Sequence, residues 1–228
     1  MCFSERASLG AFGIGITCSL LLLIRGVRHR YPLDLFYGWF LIWISLVQLG
    51  EFFIWRDLTC SPGNRRASLF VLAVLCLQPL MIGIGAFYCN AIPPNRLLTT
   101  LIILVVWTGF NIYVFYRIYR DRIPVCSQRA EDSCRLAWDF FAKVKRYIPY
   151  VIWIFVIGYL LSMGYICQGI DVMYPNDLAP FSNKIFMISF ILSLLAGVLW
   201  QGRYFYTIFG SLWCFMSVFF GIFRLIGW

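Results

Sequence analysis

The chain has 228 residues, of which 61% are hydrophobic and 13% charged, and its mean hydropathy is +0.80. A composition this apolar excludes an ordinary water-soluble domain. In a soluble protein the formal charge of +9 would point to nucleic acid; in an oily chain it reports membrane orientation first, so lipids are the expected partners and nucleic acid is not.

A membrane-crossing helix needs roughly 20 mostly apolar residues. Seven stretches qualify: residues 8–25, 35–55, 67–89, 97–116, 148–167, 184–200 and 204–223. They predict a single all-α domain over residues 1–228, a polytopic transmembrane helix bundle in a multi-pass integral membrane protein. The first stretch has the look of a secretory signal, but Arg25-Gly26-Val27-Arg28-His29-Arg30 follows it where a small-residue cleavage site would stand, so it is expected to stay as a helix.

Polar side chains inside spans are the default places to look for function, because hydrocarbon penalises them. In the second span Ser45, Gln48, Glu51 and Trp55 share one helical face. Two readings of Glu51 stay open: a carboxyl that relays a proton or binds a cation, or an interfacial side chain about one turn from Arg56 that reaches headgroup water. In the third span Pro79 removes a backbone donor beside Gln78, which predicts a kink and a polar group facing Gln48 and Glu51. The fourth span is free of charge and offers Asn111 to the same cavity. Gly10, Gly13 and Thr17, and also Gly83 and Ala86, supply small surfaces for close helix approach.

Residues 117–147 form the one polar segment of any size, a basic loop expected in the cytoplasm. Its second half sets Leu136, Phe140, Val144 and Tyr147 at helical spacing, which suits a helix lying on an anionic leaflet or an extension of the fifth span. Only Gln201, Gly202 and Arg203 separate the last two spans, so they read as a tight hairpin or as one broken helix, the latter giving six spans. With seven, Lys and Arg divide thirteen to six between the two sides, which predicts the N-terminus inside and the C-terminus outside.

The nine cysteines sort by topology. Cys18, Cys76 and Cys214 lie within spans as packing residues, and Cys2, Cys60, Cys126 and Cys134 fall on the predicted reducing side. Cys89 and Cys167 end the third and fifth spans on the other side and form a candidate disulfide. With one histidine, His29, and no CxxC pair, a zinc site is not expected. Retinal is not expected either, because the last span has no lysine. No Walker loop, GxSxG or HExxH is present, so no catalytic residues are assigned.

The opening Met1-Cys2-Phe3-Ser4 with Ala7-Ser8, the Gln48, Glu51 and Trp55 pattern, and Gln78-Pro79 together resemble an uncharacterised family of small multi-spanning membrane proteins with bacterial, algal and large-virus members. The likeness covers about the first 90 residues. It implies an architecture rather than a chemistry, and a role for the N-terminal Cys2, Phe3 and Ser4, with Cys2 acylated or capping the bundle. The leading expectation is a bundle that passes or senses a small solute, ion or proton through a cavity of Gln48, Glu51, Gln78 and Asn111. A structural or assembly subunit, docked on other membrane proteins or on a second copy, ranks second; a membrane-embedded enzyme acting on lipid ranks last.

Overall fold

The computed structural model describes residues 4–129, 136–138, 144, 150–174, 188, 191–193, 195, 199, 214, 217, 218 and 220–226. Its helices are α1 (Glu5–His29), α2 (Pro32–Trp55), α3 (Pro62–Tyr88), α4 (Pro94–Arg120), α5 (Val151–Met173) and α6 (Phe220–Leu225). Between α4 and α5 a two-stranded antiparallel ladder joins β1 (Gln128–Arg129) to β2 (Leu136–Ala137). The helices α1 to α4 and, within α5, Ile154–Met173 are long and apolar enough to cross a membrane.

The apolar runs locate these five helices and understate seven of their ten ends, match the end of α2 at Trp55, and overshoot the end of α3 and the start of α5, because the ends are set by capping chemistry that hydropathy ignores. Ser4 Oγ accepts the Ala7 N–H at 3.3 Å, and Ser61 Oγ accepts those of Gly63 and Asn64. Pro32, Pro62 and Pro94 occupy first-turn positions, where a missing N–H costs nothing. The third helix ends at Tyr88, one residue short of its apolar run, where Cys89 is the cap.

A tight antiparallel hairpin of α1 and α2 is the centre of the bundle. It turns at Arg30, whose left-handed backbone (φ 53°) lets the Tyr31 N–H reach Gly26 O at 2.8 Å. Close approach follows from small residues. A β-carbon at Gly15 would collide with Ser45 Oγ, and Ser19 Oγ donates to Gly38 O at 2.6 Å. Gly10 and Gly13, by contrast, meet nothing within 4 Å; the packed stripe of α1 is Ser8, Ala11, Gly15, Cys18, Ser19, Leu22 and Gly26.

Helix α3 lies against α2, with Gly50 packed on Val71 and Phe70, and Pro79 sits inside it. Neighbouring side chains donate to main-chain carbonyls on both sides of this proline: Trp107 Nε1 to Cys76 O at 2.8 Å and Trp39 Nε1 to Met81 O at 2.7 Å. Helix α5 ends beside the end of α3, where Tyr174 Oη donates to Cys89 O.

The buried residues Cys214, Ser217, Val218, Phe220, Gly221 and Arg224 follow helical spacing along the α1–α2 hairpin. Cys214 is within electrostatic reach of Glu51, Val218 packs at Gly15, Gly221 at Cys18 and Leu41, and Arg224 reaches Asp34. This segment therefore runs from the Trp55 end of α2 to the Asp34 end.

Residues 122–138 differ from expectation. Leu136 is in a strand paired to Arg129, not at the start of an amphipathic helix, and it is buried together with Ile123, Val125, Cys126, Ser127 and Trp138. A continuous extension of the fifth span is also excluded, because Tyr150 takes a left-handed conformation (φ 69°) directly before α5. Phe140 and Tyr147 lie outside the described residues, as do Cys2, Phe3, Cys134 and most of the predicted spans 184–200 and 204–223.

Candidate functional site

The polar face of α2 is buried against the α1 stripe. Ser45, Gln48 and Glu51 are shielded from solvent, and Gln48 Nε2 donates to Glu51 Oε2 at 2.9 Å. The hairpin register that sets Gly15 at Ser45 carries Ser8 of α1 to the level of Glu51. Ser8 Oγ, Ser45 Oγ, Gln48 Oε1 and Trp55 Nε1 are all buried, and none has a hydrogen-bond partner among the described residues. Buried polar atoms in native proteins are almost always satisfied. Four that lack a partner among the described residues lie along about three turns of α2 and the facing Ser8.

The seam has a polar end and a closed end. From Trp55 it passes Glu51 and Gln48 and reaches Ser45, where Gly15 and Ser45 are in tight contact. Beyond this point Leu41, Phe40, Tyr37 and Phe36 are buried, with the Tyr37 and Phe220 rings 5.3 Å apart.

Gln78 does not join it. Its Nε2 donates to Trp43 O at 3.0 Å and its Oε1 accepts from Tyr159 Oη at 2.6 Å, so the side chain clamps α2, α3 and α5 together. Trp43 is eight residues from Glu51, about 12 Å along the helix. Pro79 belongs to the same clamp. Asn111 bonds its own helix, donating to Trp107 O at 2.7 Å. The residues of the cavity expected from sequence thus make different bonds: Gln48 with Glu51, Gln78 with Trp43 and Tyr159, and Asn111 with Trp107 of its own helix, its Oδ1 without a partner among the described residues. Ser4 is the N-cap of α1.

The cysteines also pair differently from expectation. Neither Cys89 nor Cys167 is joined in a disulfide; both are buried thiols. Cys167 lines a small cavity with Ile82, Met163 and Phe36, and Tyr174 meets Cys89. Cys60 and Cys126 form the disulfide, with Cα atoms 5.4 Å apart.

A second polar constellation had no place in the sequence reading. Asp34, almost fully buried, is held by Arg25 and by Arg224, the latter at 3.3 Å and itself buried over the rings of Tyr31 and Tyr37. Arg25 also donates to the carbonyls of Arg224 and Leu225, capping the C-terminal helix. Apolar windows cut at residue 35 and at residue 223 placed both partners just outside a span; an acid and a base at facing span ends were the available signal.

Asp57 organises the α2–α3 turn, accepting from Thr59 N and Oγ1, Ser61 Oγ and Asn64 N. These donors, Ser61 foremost and then Thr59, hold its carboxyl below the usual carboxylate range. Compared with family models, curated proteins and solved structures, the chain matches none.

Proposed function

We propose that the chain is an integral membrane protein that crosses the bilayer seven times and binds a proton, small cation or small polar solute at Glu51 as the step by which it moves or senses that species. The observation that carries this reading is the set of buried atoms of Ser8, Ser45, Gln48 and Trp55 that have no partner among the described residues, on the helix face that also carries Glu51 and at its level on α1. Burial makes charge at the Glu51 carboxyl costly, so taking up a proton or a cation there would change the charge of the seam, which is what a transport or sensing step requires.

Two features support seven crossings. Residue 174 lies at the Asp34 end, while Cys214 is within electrostatic reach of Glu51 and Arg224 meets Asp34. These positions support the two further crossings that the apolar runs 184–200 and 204–223 predict. In the proposed family resemblance the shared Gln, Glu and Trp face is the seam itself.

The test is flux in liposomes holding the purified full chain. With a proton or sodium gradient imposed, wild type conducts and Glu51→Gln falls to the level of empty liposomes. Equal flux from both removes Glu51 from the reading.

A further inference from the structure

At the depth of the Trp55 end of the seam, a segment following α4 is anchored to the start of α3 and to the α2–α3 turn. Ile123, Val125, Cys126 and Ser127 on one arm, with Leu136 and Trp138 on the other, are buried rather than solvated. Asn64 reads the main chain of Ser127 in both directions: its Nδ2 donates to Ser127 O at 2.7 Å and its Oδ1 accepts the Ser127 N–H at 3.0 Å. Ser68 Oγ donates to Ser127 Oγ at 3.0 Å. Depth follows from helix register. Val71 packs on Gly50, and Ser68 lies three residues nearer the start of α3, so Ser127 sits within about one turn of the level of Glu51. The adjoining residue, Cys126, is covalently bound to Cys60 in the α2–α3 turn.

We propose that residues 122–129 and 136–138 form a cap on the Glu51 seam, locked by the Cys60–Cys126 disulfide and released when that bond is reduced. This rests on the reading of Glu51 as the binding group. The chemistry is thiol–disulfide exchange with a dithiol. One thiolate of the dithiol attacks a sulfur of the bridge and displaces the other cysteine as a thiolate, forming a mixed disulfide. The second thiolate of the dithiol then resolves it. Two electrons and two protons pass to Cys60 and Cys126, and the dithiol leaves as its disulfide. A lock of this kind persists in an oxidising compartment. That puts the N-terminus of α1 on the oxidising side, the reverse of the orientation given by the charge count.

The full chain is tested in three steps. Alkylation of isolated membranes followed by non-reducing peptide mapping finds Cys60 and Cys126 linked, and a membrane-impermeant phosphine added to intact cells frees them. Free thiols at both positions before reduction, or resistance to the impermeant reductant in intact cells alone, overturn the proposal. Purified protein is then treated with a water-soluble carbodiimide and glycine ethyl ester, or with the lipophilic dicyclohexylcarbodiimide, and modification of Glu51 is followed by mass spectrometry. Reduction speeds the water-soluble reaction at Glu51 by about tenfold or more, the Cys60→Ser variant matches the reduced wild type, and the lipophilic reagent labels Glu51 alike in both redox states. Equal water-soluble labelling before and after reduction, with lipophilic labelling intact, sinks the cap alone. Absence of lipophilic labelling sinks the Glu51 reading and the cap with it.

Discussion

Gln48 and Gln78 are the same residue type, equally buried, on adjacent helices, and they do opposite work. Gln78 uses both ends of its amide, one on the carbonyl of Trp43 and one on the hydroxyl of Tyr159. Gln48 uses its nitrogen on Glu51 and leaves Oε1 without a partner among the described residues. A satisfied polar group costs little and fixes geometry, whereas an unsatisfied one is kept only where something else completes it. Saturation, rather than polarity or burial, separates Gln78 from Gln48, although Trp43 Nε1, Arg96 Nη1 and Asn111 Oδ1 also lack a partner among the described residues.

The sharpest way to break that comparison is at the most saturated point, the Asp34 clasp. Replacing Asp34 with Ala leaves the buried Arg224 guanidinium facing Arg25 with their shared carboxylate gone. Removing one partner of a buried ion pair costs about 3–5 kcal/mol. Thermal unfolding of the detergent-solubilised chain is expected to show the loss, together with easier proteolysis near residue 225, because Arg25 no longer holds the carbonyls of Arg224 and Leu225. A variant as stable as wild type would mean that the C-terminal helix is held by packing alone.

The next effect is smaller and contrasts the two regions directly. Tyr159→Phe deletes the donor to Gln78 Oε1 and is expected to cost about 1–2 kcal/mol. Ser45→Ala deletes a hydroxyl with no described partner and is expected to stay within about 0.5 kcal/mol of wild type in stability while altering flux. If Ser45→Ala proves as costly as Tyr159→Phe, the seam is an ordinary hydrogen-bonded interface and its claim to function lapses.

The parts legible in the sequence and the parts hidden from it divide along the same physical line. Hydropathy reports transfer from water to an apolar phase, so it located five helices that overlap residues 8–25, 35–55, 67–89, 97–116 and 148–167. Helical periodicity placed Gln48, Glu51 and Trp55 on one face, and they do share the seam. Partner choice has no such periodicity. Nothing in the spacing sends Gln78 to Tyr159 rather than to Glu51, because the chain has thirteen tyrosines and the selection depends on how α5 packs beside α3. The segment after α4 misled for a related reason: Leu136 and Val144 fit a helical repeat, yet Leu136 is recruited to a strand by Asn64, Ser68 and Cys60, which anchor its partner arm from more than fifty residues away.

The smallest expected effect concerns pH and lies outside the apolar helices, at the turn that carries Cys60. Asp57 accepts hydrogen bonds from Ser61, Thr59 and Asn64, and these favour its ionised form in the folded chain. Its folded-state pKa lies below its unfolded one, so its contribution to stability is fully present above the ordinary carboxylate range. As pH falls through that range toward the depressed folded value the contribution is lost. The unfolding temperature of wild type should therefore decline on acidification more steeply than that of Asp57→Asn, with the two curves converging at the acid end. Because the same turn supplies Cys60 to the disulfide and Asn64 to Ser127, the acid-dependent part should also appear as faster release of the 122–129 segment to protease in reduced protein. Parallel pH curves for the two proteins would show that the turn is held by Ser61 and the helix α3 N-terminus without the Asp57 charge.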